Sequence, residues 1–157
     1  MTLFLLNVLL ALVWAMAVGR FTLAQLLLGY ALGFLILATL EPLWGRATYA
    51  PRLWRVLRFA LFFLWELVLS SLQVAYDSVT PRLRAQPRVI ALPLDAETET
   101  EITLLANFLT LTPGTLSLDV SSDGRTLFIH AMYARDREQL IADIKSGLEA
   151  RLLEVLR

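Results

Sequence analysis

Two long uncharged runs, separated by a very short break, open this chain and limit what it can fold into. No charged residue occurs in residues 1–18 or in residues 21–40, and only Gly19 and Arg20 lie between them. Each run is close to the roughly 20 apolar residues that cross about 30 Å of hydrocarbon as a helix. We therefore predict helices over about 2–18 and 22–40 that turn back at once and pack antiparallel as a transmembrane hairpin.

The second run contains two glycines at a spacing known from helix contacts in membranes. Gly29 and Gly33 are four residues apart, which lets another backbone approach closely in lipid. Glycine is also common in membrane helices without such a role. The sequence leaves both interpretations open.

A third apolar stretch, predicted as a helix over about 53–79, carries polar residues along one side. They recur at helical intervals and share one stripe: Arg55, Arg58, Glu66, Ser70, Gln73 and Asp77. Such a helix can span the membrane with its polar face against partner proteins, or lie in the plane of the membrane surface. The third helix is therefore amphipathic or transmembrane.

Arginines on both sides of this stretch help to choose between these arrangements. They are Arg46, Arg52, Arg55 and Arg58 before it, and Arg82, Arg84 and Arg88 after it. Cytoplasmic flanks carry such an excess of positive charge, whereas a spanning helix would put one cluster outside. We favour two crossings with an interfacial or partner-buried third helix, although the apolar content of residues 59–69 also permits three.

Composition separates two regions and excludes several function classes. Eight charged residues precede residue 81 and twenty follow it, which indicates a membrane region over 1–80 and a cytoplasmic domain over 81–157. The net charge is zero without a dense basic run, which argues against nucleic-acid binding. Cysteine is absent and His130 is the single histidine, so we expect no thiolate chemistry, histidine metal site or cofactor.

The second half alternates between strand and helix patterns. Residues 88–94 are typical of a strand, and Glu97, Glu99 and Glu101 precede a helical face that begins at Ile102. Residues 116–120 and 126–132 alternate around turn chemistry at 121–124, which predicts a β-hairpin. Residues 141–155 have the spacing of an amphipathic helix.

This β-α-β-β-α order predicts a small α+β domain that is ferredoxin-like but lacks the final strand. In the complete pattern the missing strand would lie beside residues 88–94, so that edge could accept a strand from a partner. The alternative is an edge that Pro93 blunts and the preceding helix covers.

Candidate catalytic groups are few. Glu66 is a candidate ion-path carboxylate, because an ionisable group at membrane depth is costly and often functional. A carboxylate that pairs with a partner protein or reaches the headgroups is the stronger interpretation, since a proton relay needs further titratable residues. The turn at 112–115 lacks the lysine and helix start of a phosphate loop, and His130 has no evident triad partner or second ligand. We expect a protein that is not an enzyme.

Several segments together resemble the E subunit of Mrp-type (Mnh/Pha) multisubunit Na+/H+ antiporters of bacteria. They are residues 19–24 (GRFTLA), Glu66-Leu67, Gln73-Val74-Ala75, residues 102–120 (ITLLANFLTLTPGTLSLDV), residues 123–127 (DGRTL) and residues 129–132 (IHAM). The run over 102–120 is the specific part, and the resemblance covers almost the whole chain.

The resemblance implies an accessory, non-catalytic subunit in the bacterial inner membrane, with the other antiporter subunits and the lipid bilayer as partners. Na+ and H+ would be the ions that the whole complex transports, and this chain would support assembly and shape the sodium path. Candidate partner-interface or ion-path residues are Glu66, Arg58, Gln73, Asn107, Thr112, Pro113 and Gly114. The competing hypothesis is a membrane-tethered ferredoxin-like regulatory or ligand-sensing module unrelated to transport.

Overall fold

The computed structural model describes residues 2–41, 49–80 and 85–157. The flanking arginines Arg46, Arg82 and Arg84 lie outside these residues. Packing divides the chain into two compact units, Met1–Arg55 and Val56–Arg157. This is a division by packing, whereas the predicted boundary after residue 80 separates membrane from cytoplasm and stays a prediction.

The first unit contains the predicted hairpin, formed by α1 (Thr2–Val18) and α2 (Leu23–Leu40). Gly19 ends α1 with a φ of +68°, a conformation that glycine adopts without a Cβ penalty. Its amide donates to the Met16 carbonyl, and the Arg20 amide donates to the Ala15 carbonyl. Thr22 then caps α2 by accepting a hydrogen bond from the Gln25 amide. These local bonds turn the chain within the predicted break.

The two glycines of α2 lie where α1 comes closest. A Cβ on Gly29 would stand 2.9 Å from the Trp14 Cβ and 3.0 Å from the Ala11 Cα, and one on Gly33 would overlap the Asn7 side chain. Real Cβ atoms do not approach other heavy atoms this closely, so only glycine fits. The glycine pair is therefore a helix-helix contact, one of the two interpretations that the sequence allowed.

The third helix, α3, runs from Tyr49 to Val79 and begins four residues earlier than predicted. The part of it within the second unit contributes Phe59 and Phe63 to a buried core. Both rings pack against Phe108, with centroid distances of 5.0 and 4.7 Å in edge-to-face geometry. This part of α3 thus contributes to the hydrophobic core of the α+β domain.

The second unit continues with a three-stranded sheet and helices. Its further elements are β1 (Arg88–Pro93), α4 (Glu99–Leu111), β2 (Thr115–Val120), β3 (Thr126–Ala131), α5 (Arg137–Ile144), a π-helical turn (Lys145–Glu149) and α6 (Ala150–Leu156). The sheet order is β1-β3-β2 with antiparallel pairing throughout. The predicted β-α-β-β-α order is confirmed and β1 is an edge strand, while the ferredoxin-like classification and strand addition at that edge stay predictions.

One face of the sheet carries the core of this unit. Ile90 and Leu92 of β1 and Leu127 and Ile129 of β3 are at most 1% exposed and belong to one cluster with Leu105 of α4. Alternation along each strand places these side chains on the same face. The helices therefore cover that face.

The C-terminal helical segment departs from the predicted single amphipathic helix. A π-helical turn at Lys145–Glu149 interrupts it, and this turn includes Glu149, which is 1% exposed. The Glu149 carboxylate accepts hydrogen bonds from the amides of Asp95 and Ala96 in the loop after β1. Lys145 lies 3.2 Å from the same carboxylate, so the buried charge is paired.

Length and hydropathy single out α2 and α3 as helices that could cross a membrane, among the described residues. The apolar part of α1, Leu3–Val18, is shorter than a typical span. Both arrangements considered for α3 therefore remain open on length alone.

Candidate functional site

A cleft of about 620 Å³ opens in the second unit between α3, the turn after α4 and the C-terminal helical segment. Polar and apolar side chains share its lining, and most of its polar groups come from positions far apart in sequence. A concave surface of this kind is the usual place for a ligand or a partner segment.

The polar residues of the α3 wall of the cleft are Glu66, Ser70 and Gln73. These residues follow one another at intervals of four and three, so they form one stripe on the helix. The Ser70 hydroxyl donates to the Glu66 carbonyl at 2.7 Å. The Glu66 side chain is half-buried and lines the cleft, and no described side chain forms an ion pair with it.

The opposite wall contains the turn between α4 and β2. Thr112 caps α4, and its hydroxyl donates to the Phe108 carbonyl at 3.0 Å. Gly114 follows with a φ of +95°, and its carbonyl accepts a hydrogen bond from the Met132 amide at 2.7 Å. A Cβ on Gly114 would lie 3.2 Å from the Tyr133 ring, so glycine allows this ring to pack against the turn.

The third wall comes from α5, the π-helical turn and the start of α6. Asp143 accepts a hydrogen bond from the Gln139 side chain at 2.8 Å. Arg151 is the single cationic residue among the described residues of the lining, and its guanidinium donates to the Gly147 carbonyl at 3.0 Å. The same guanidinium lies 4.1 Å from the centroid of the Phe62 ring. Its charge is thus already engaged within the chain.

Near the Tyr133 end of the cleft, two buried polar atoms have no hydrogen-bond partner of normal geometry among the described residues. They are the Asp77 Oδ2 atom and the Tyr133 hydroxyl. Burial raises the pKa of Tyr133, and the neighbouring Asp77 carboxylate adds to the rise. Asp77 is 5% exposed and continues the α3 stripe one turn beyond Gln73. Buried polar groups are rarely left unpaired, so this end of the cleft is unusual.

The structure brings together five of the seven candidate residues predicted from the sequence. Glu66, Gln73, Thr112, Pro113 and Gly114 all line the cleft. The other two lie elsewhere, because Arg58 pairs with Glu154 at 2.9 Å and Asn107 is exposed on α4. A role of these residues at a partner interface or ion path stays a prediction.

Sequence reasoning missed a polar cluster in the first unit. Asn7 is fully buried and donates to the Tyr49 hydroxyl at 2.9 Å, which in turn lies 3.3 Å from the Tyr30 hydroxyl. Glu41 is 5% exposed and accepts the Tyr49 amide with both carboxylate oxygens. These bonds connect positions up to 42 residues apart, so no local sequence pattern could have shown them.

The described residues contain no group of three or more His, Asp or Glu side chains placed to hold a metal ion. His130 lies half-buried in β3, opposite Val89 and Leu116 on the neighbouring strands.

Comparisons with known proteins indicate the same family over nearly the full length of this chain. A sequence model of the family described as "Na+/H+ ion antiporter subunit" matches residues 7–155. The E subunit of the Na+/H+ antiporter of Alkalihalophilus pseudofirmus is 34% identical over 98% of this chain and 97% of its own length. The E subunit of the Bacillus subtilis antiporter is 35% identical over the same shares.

Two solved structures are also similar. A chain in the structure of the Mrp complex from Dietzia sp. matches with a TM-score of 0.51 and 32% identity, over 66% of this chain and 96% of that one. A chain of the membrane-bound sulfane sulfur reductase, an archaeal respiratory membrane complex, shares the fold with a TM-score of 0.57 at 21% identity, over 96% and 99% of the two chains. This chain therefore belongs to the family of Na+/H+ antiporter E subunits, whose members are components of a membrane transporter and not enzymes.

Proposed function

We propose that this chain is an accessory, non-catalytic subunit of a multisubunit Na+/H+ antiporter, which supports assembly and helps to shape the sodium path. The observation that carries the proposal is the near full-length similarity to the E subunits of such antiporters. The partners are then the other subunits of the complex, and Na+ and H+ are the ions that the complex transports.

The hairpin supports a role outside the ion-translocating machinery. Neither Thr2–Val18 nor Leu23–Leu40 contains an Asp, Glu, Lys, Arg or His residue. A proton relay through lipid needs a series of titratable groups. The hairpin is therefore suited to anchoring and to packing against other helices.

The contacts within the second unit support an in-plane position for α3. The α+β domain contacts this helix from Arg58, which pairs with Glu154, to Asp77, which lies beside Tyr133. At 1.5 Å per residue this is about 30 Å, the thickness of the hydrocarbon core. A spanning α3 would pull the charged domain into lipid, where unpaired charges are very costly. We infer two crossings, made by the hairpin, and an interfacial α3.

The other side of α3 suits contact with lipid. Its exposed residues include Leu61, Leu64, Trp65, Val68 and Leu72, each more than half exposed. A helix with one face in a folded domain and an apolar face outward can lie at the boundary between headgroups and acyl chains. The C-terminal domain then stays on one side of the membrane, and the positive flanking charge supports the cytoplasm of a bacterial cell as that side.

Purification of the tagged full chain in mild detergent tests the subunit assignment. We expect two large antiporter-like subunits and several small hydrophobic ones to co-purify in a fixed ratio. A clean homo-oligomer would contradict the assignment and favour the membrane-tethered regulatory module.

Labelling of single cysteines tests the two crossings, because the chain has no cysteine of its own. The variants Arg20→Cys and Ser122→Cys place a thiol at the exposed hairpin turn and at the exposed β2–β3 turn. An impermeant maleimide should label them from opposite sides of the membrane. Labelling of both from the same side would show that α3 spans the bilayer. This outcome does not depend on the orientation of the hairpin.

A further inference from the structure

We propose that the open face of the β1-β3-β2 sheet, which the described helices of the second unit leave uncovered, is the docking surface for one amphipathic helix of another subunit. The apolar side of that helix packs against the sheet. The proposal rests on the subunit function proposed above and names the chemistry of one partner contact.

The open face carries large apolar side chains in exposed positions. Residues that alternate with the buried core positions of each strand point to this face. They include Val89 of β1, Leu116 of β2 and Phe128 of β3, which are 62%, 47% and 37% exposed in the presence of all described residues of the chain. Contiguous apolar surface of this kind on a folded domain marks a contact with another molecule.

Strand pairing joins these side chains into one patch. His130 in the central strand lies between Val89 and Leu116, its partners on the two neighbouring strands. A register shift in β2 adds Leu118, which is 50% exposed and precedes the residue paired with Phe128. The patch therefore extends across all three strands.

The position of α3 argues against lipid as the occupant. Phe59 and Phe63 of this helix belong to the same core as Ile90 and Ile129, whose side chains lie on the other face of the sheet. The sheet thus separates the open face from α3. An α3 that lies on the membrane surface therefore leaves the open face directed away from the bilayer.

The size of the face argues against a second copy of this chain. Three strands of six residues each, about 4.8 Å apart, form a face of about 15 by 20 Å, or about 300 Å². A stable dimer needs about 800 Å² on each partner. In a multisubunit complex a smaller contact is sufficient, because the membrane helices of the same subunits also pack together.

A single helix fits this face. A helix is about 10 Å wide and rises 1.5 Å per residue, so about 13 residues cover the length of the strands. The internal stretches outside the described residues, 42–48 and 81–84, contain too few residues for such a helix. The helix therefore comes from another chain, with apolar residues at intervals of three and four on the side that meets the sheet.

Photo-crosslinking in the full complex tests the partner. The aromatic crosslinker p-benzoylphenylalanine replaces Phe128, which lies in the central strand of the open face. The same crosslinker in place of Thr103, exposed on α4 in the helix layer, is the control. We expect mass spectrometry to identify, for the Phe128 position alone, a segment of another subunit with apolar residues at helical spacing.

Removal of apolar surface then tests the nature of the contact. The double variant Leu116→Thr/Leu118→Thr keeps residue types that favour strands and removes much of the apolar patch. The crosslink yield at the Phe128 position should fall at least about tenfold, because two leucine side chains no longer contribute to binding. Leu111→Thr changes an apolar residue that is 61% exposed on α4, outside the open face, and should leave the yield unchanged.

Hydrogen exchange of residues 88–157 in the isolated chain checks that these variants stay folded. We expect the same exchange in the double variant and in the unmodified chain, because both leucines are exposed there. If the double variant exchanges faster, Leu118→Thr alone, at the register shift, replaces it in the crosslinking experiment.

Three outcomes would overturn the proposal. They are a Phe128 crosslink to a second copy of this chain, a crosslink to lipid, to no partner or to a segment without apolar helical spacing, and an undiminished yield in the folded threonine variant. If other subunits co-purify with the unmodified chain in these cases, the subunit function stands and only this contact fails. If no other subunit co-purifies, both fail.

Discussion

The hairpin and the α+β unit pack their side chains in opposite ways. In the hairpin the buried positions are mostly small, such as Ala11, Ala15, Gly29 and Gly33, while large apolar side chains point outward. In the α+β unit the most deeply buried side chains include Ile90, Leu92 and Leu105. Lipid solvates a leucine as well as another leucine does, so close backbone contact replaces hydrophobic burial in the hairpin. The hairpin is thus packed as a structure in lipid, and the α+β unit is packed as a domain in water.

The largest expected effect comes from the core of the α+β unit. Leu105→Ala removes a side chain that is fully buried between the sheet and the helices, so unfolding should become easier by about 2–5 kcal/mol. Hydrogen exchange of the amides of residues 88–157 in the detergent-solubilised chain measures this change. The control Leu116→Ala lies on the exposed face of the sheet and should shift stability by about 0.5 kcal/mol or less. Equal effects would show that the outer face is buried as well.

Adding a methyl group should destabilise the hairpin, whereas the core of the α+β unit is destabilised by removing side-chain atoms. Gly29→Ala brings a Cβ to 3.0 Å from the Ala11 backbone, which cannot move aside without separating the helices. Overpacking of this kind costs about 1–3 kcal/mol. We expect faster hydrogen exchange across residues 2–40 and unchanged exchange across 88–157. The control is Ala31→Leu, which adds side-chain atoms on the exposed side of α2 without lowering helix propensity. Exchange that rises equally in both variants would contradict a packing role for Gly29.

Much of the difference between the hairpin and the α+β unit could be predicted from the sequence, because the patterns that indicate it involve residues close together in the chain. The uncharged runs and the Gly19 break indicated the hairpin, and alternation around 121–124 indicated the β2–β3 pair. Five of the seven candidate residues meet at one cleft. Two of the five, Glu66 and Gln73, belong to the polar stripe of α3, which a helical period reveals directly.

The remaining features depend on contacts between distant positions. A single asparagine in an apolar run gives no periodic signal, so the bond from Asn7 to Tyr49 was not predictable. The π-helical turn accompanies Glu149, whose partners Asp95 and Ala96 lie more than 50 residues away. The polar stripe of α3 indicated a special face but could not show that the chain's own α+β domain packs against this helix through Phe59 and Phe63. Each of these features is determined by contacts between residues that are distant in the sequence.

A smaller effect is expected at the start of α4, where the α+β unit uses a helix cap. Thr98 accepts a hydrogen bond from the Glu101 amide, while the Glu101 carboxylate accepts one from the Thr98 amide. Thr98→Ala should destabilise this unit by about 1 kcal/mol. The matched control Thr103→Ala removes an exposed threonine from the interior of the same helix and should be neutral or slightly stabilising. Thermal unfolding of the purified chain compares the two variants, and a larger loss in Thr103→Ala would contradict the capping role.

The smallest effect concerns acid stability, which only the α+β unit should show through Glu101. Its hydrogen bond with Arg157, together with the amides of Glu97 and Thr98, lowers the pKa of Glu101 from 4.5 to about 2. Because the folded state holds the charged form, the contribution is present above pH 4.5 and is lost as the pH falls from 4.5 towards 2.

Glu101→Gln should therefore flatten the dependence of stability on pH in this interval and lower stability near neutral pH. Arg157→Ala should reproduce most of the change in slope, since the Arg157 guanidinium is the largest cause of the lowered pKa. Unfolding of the purified chain at a series of pH values between 2 and 6, followed by exchange of residues 88–157, gives the slope. The hairpin has no titratable carboxylate within α1 or α2, so exchange across residues 2–40 should not vary with either substitution. A slope that is unchanged in Glu101→Gln would show that Glu101 titrates alike in the folded and unfolded chain, and the bond to Arg157 would then contribute nothing to folding.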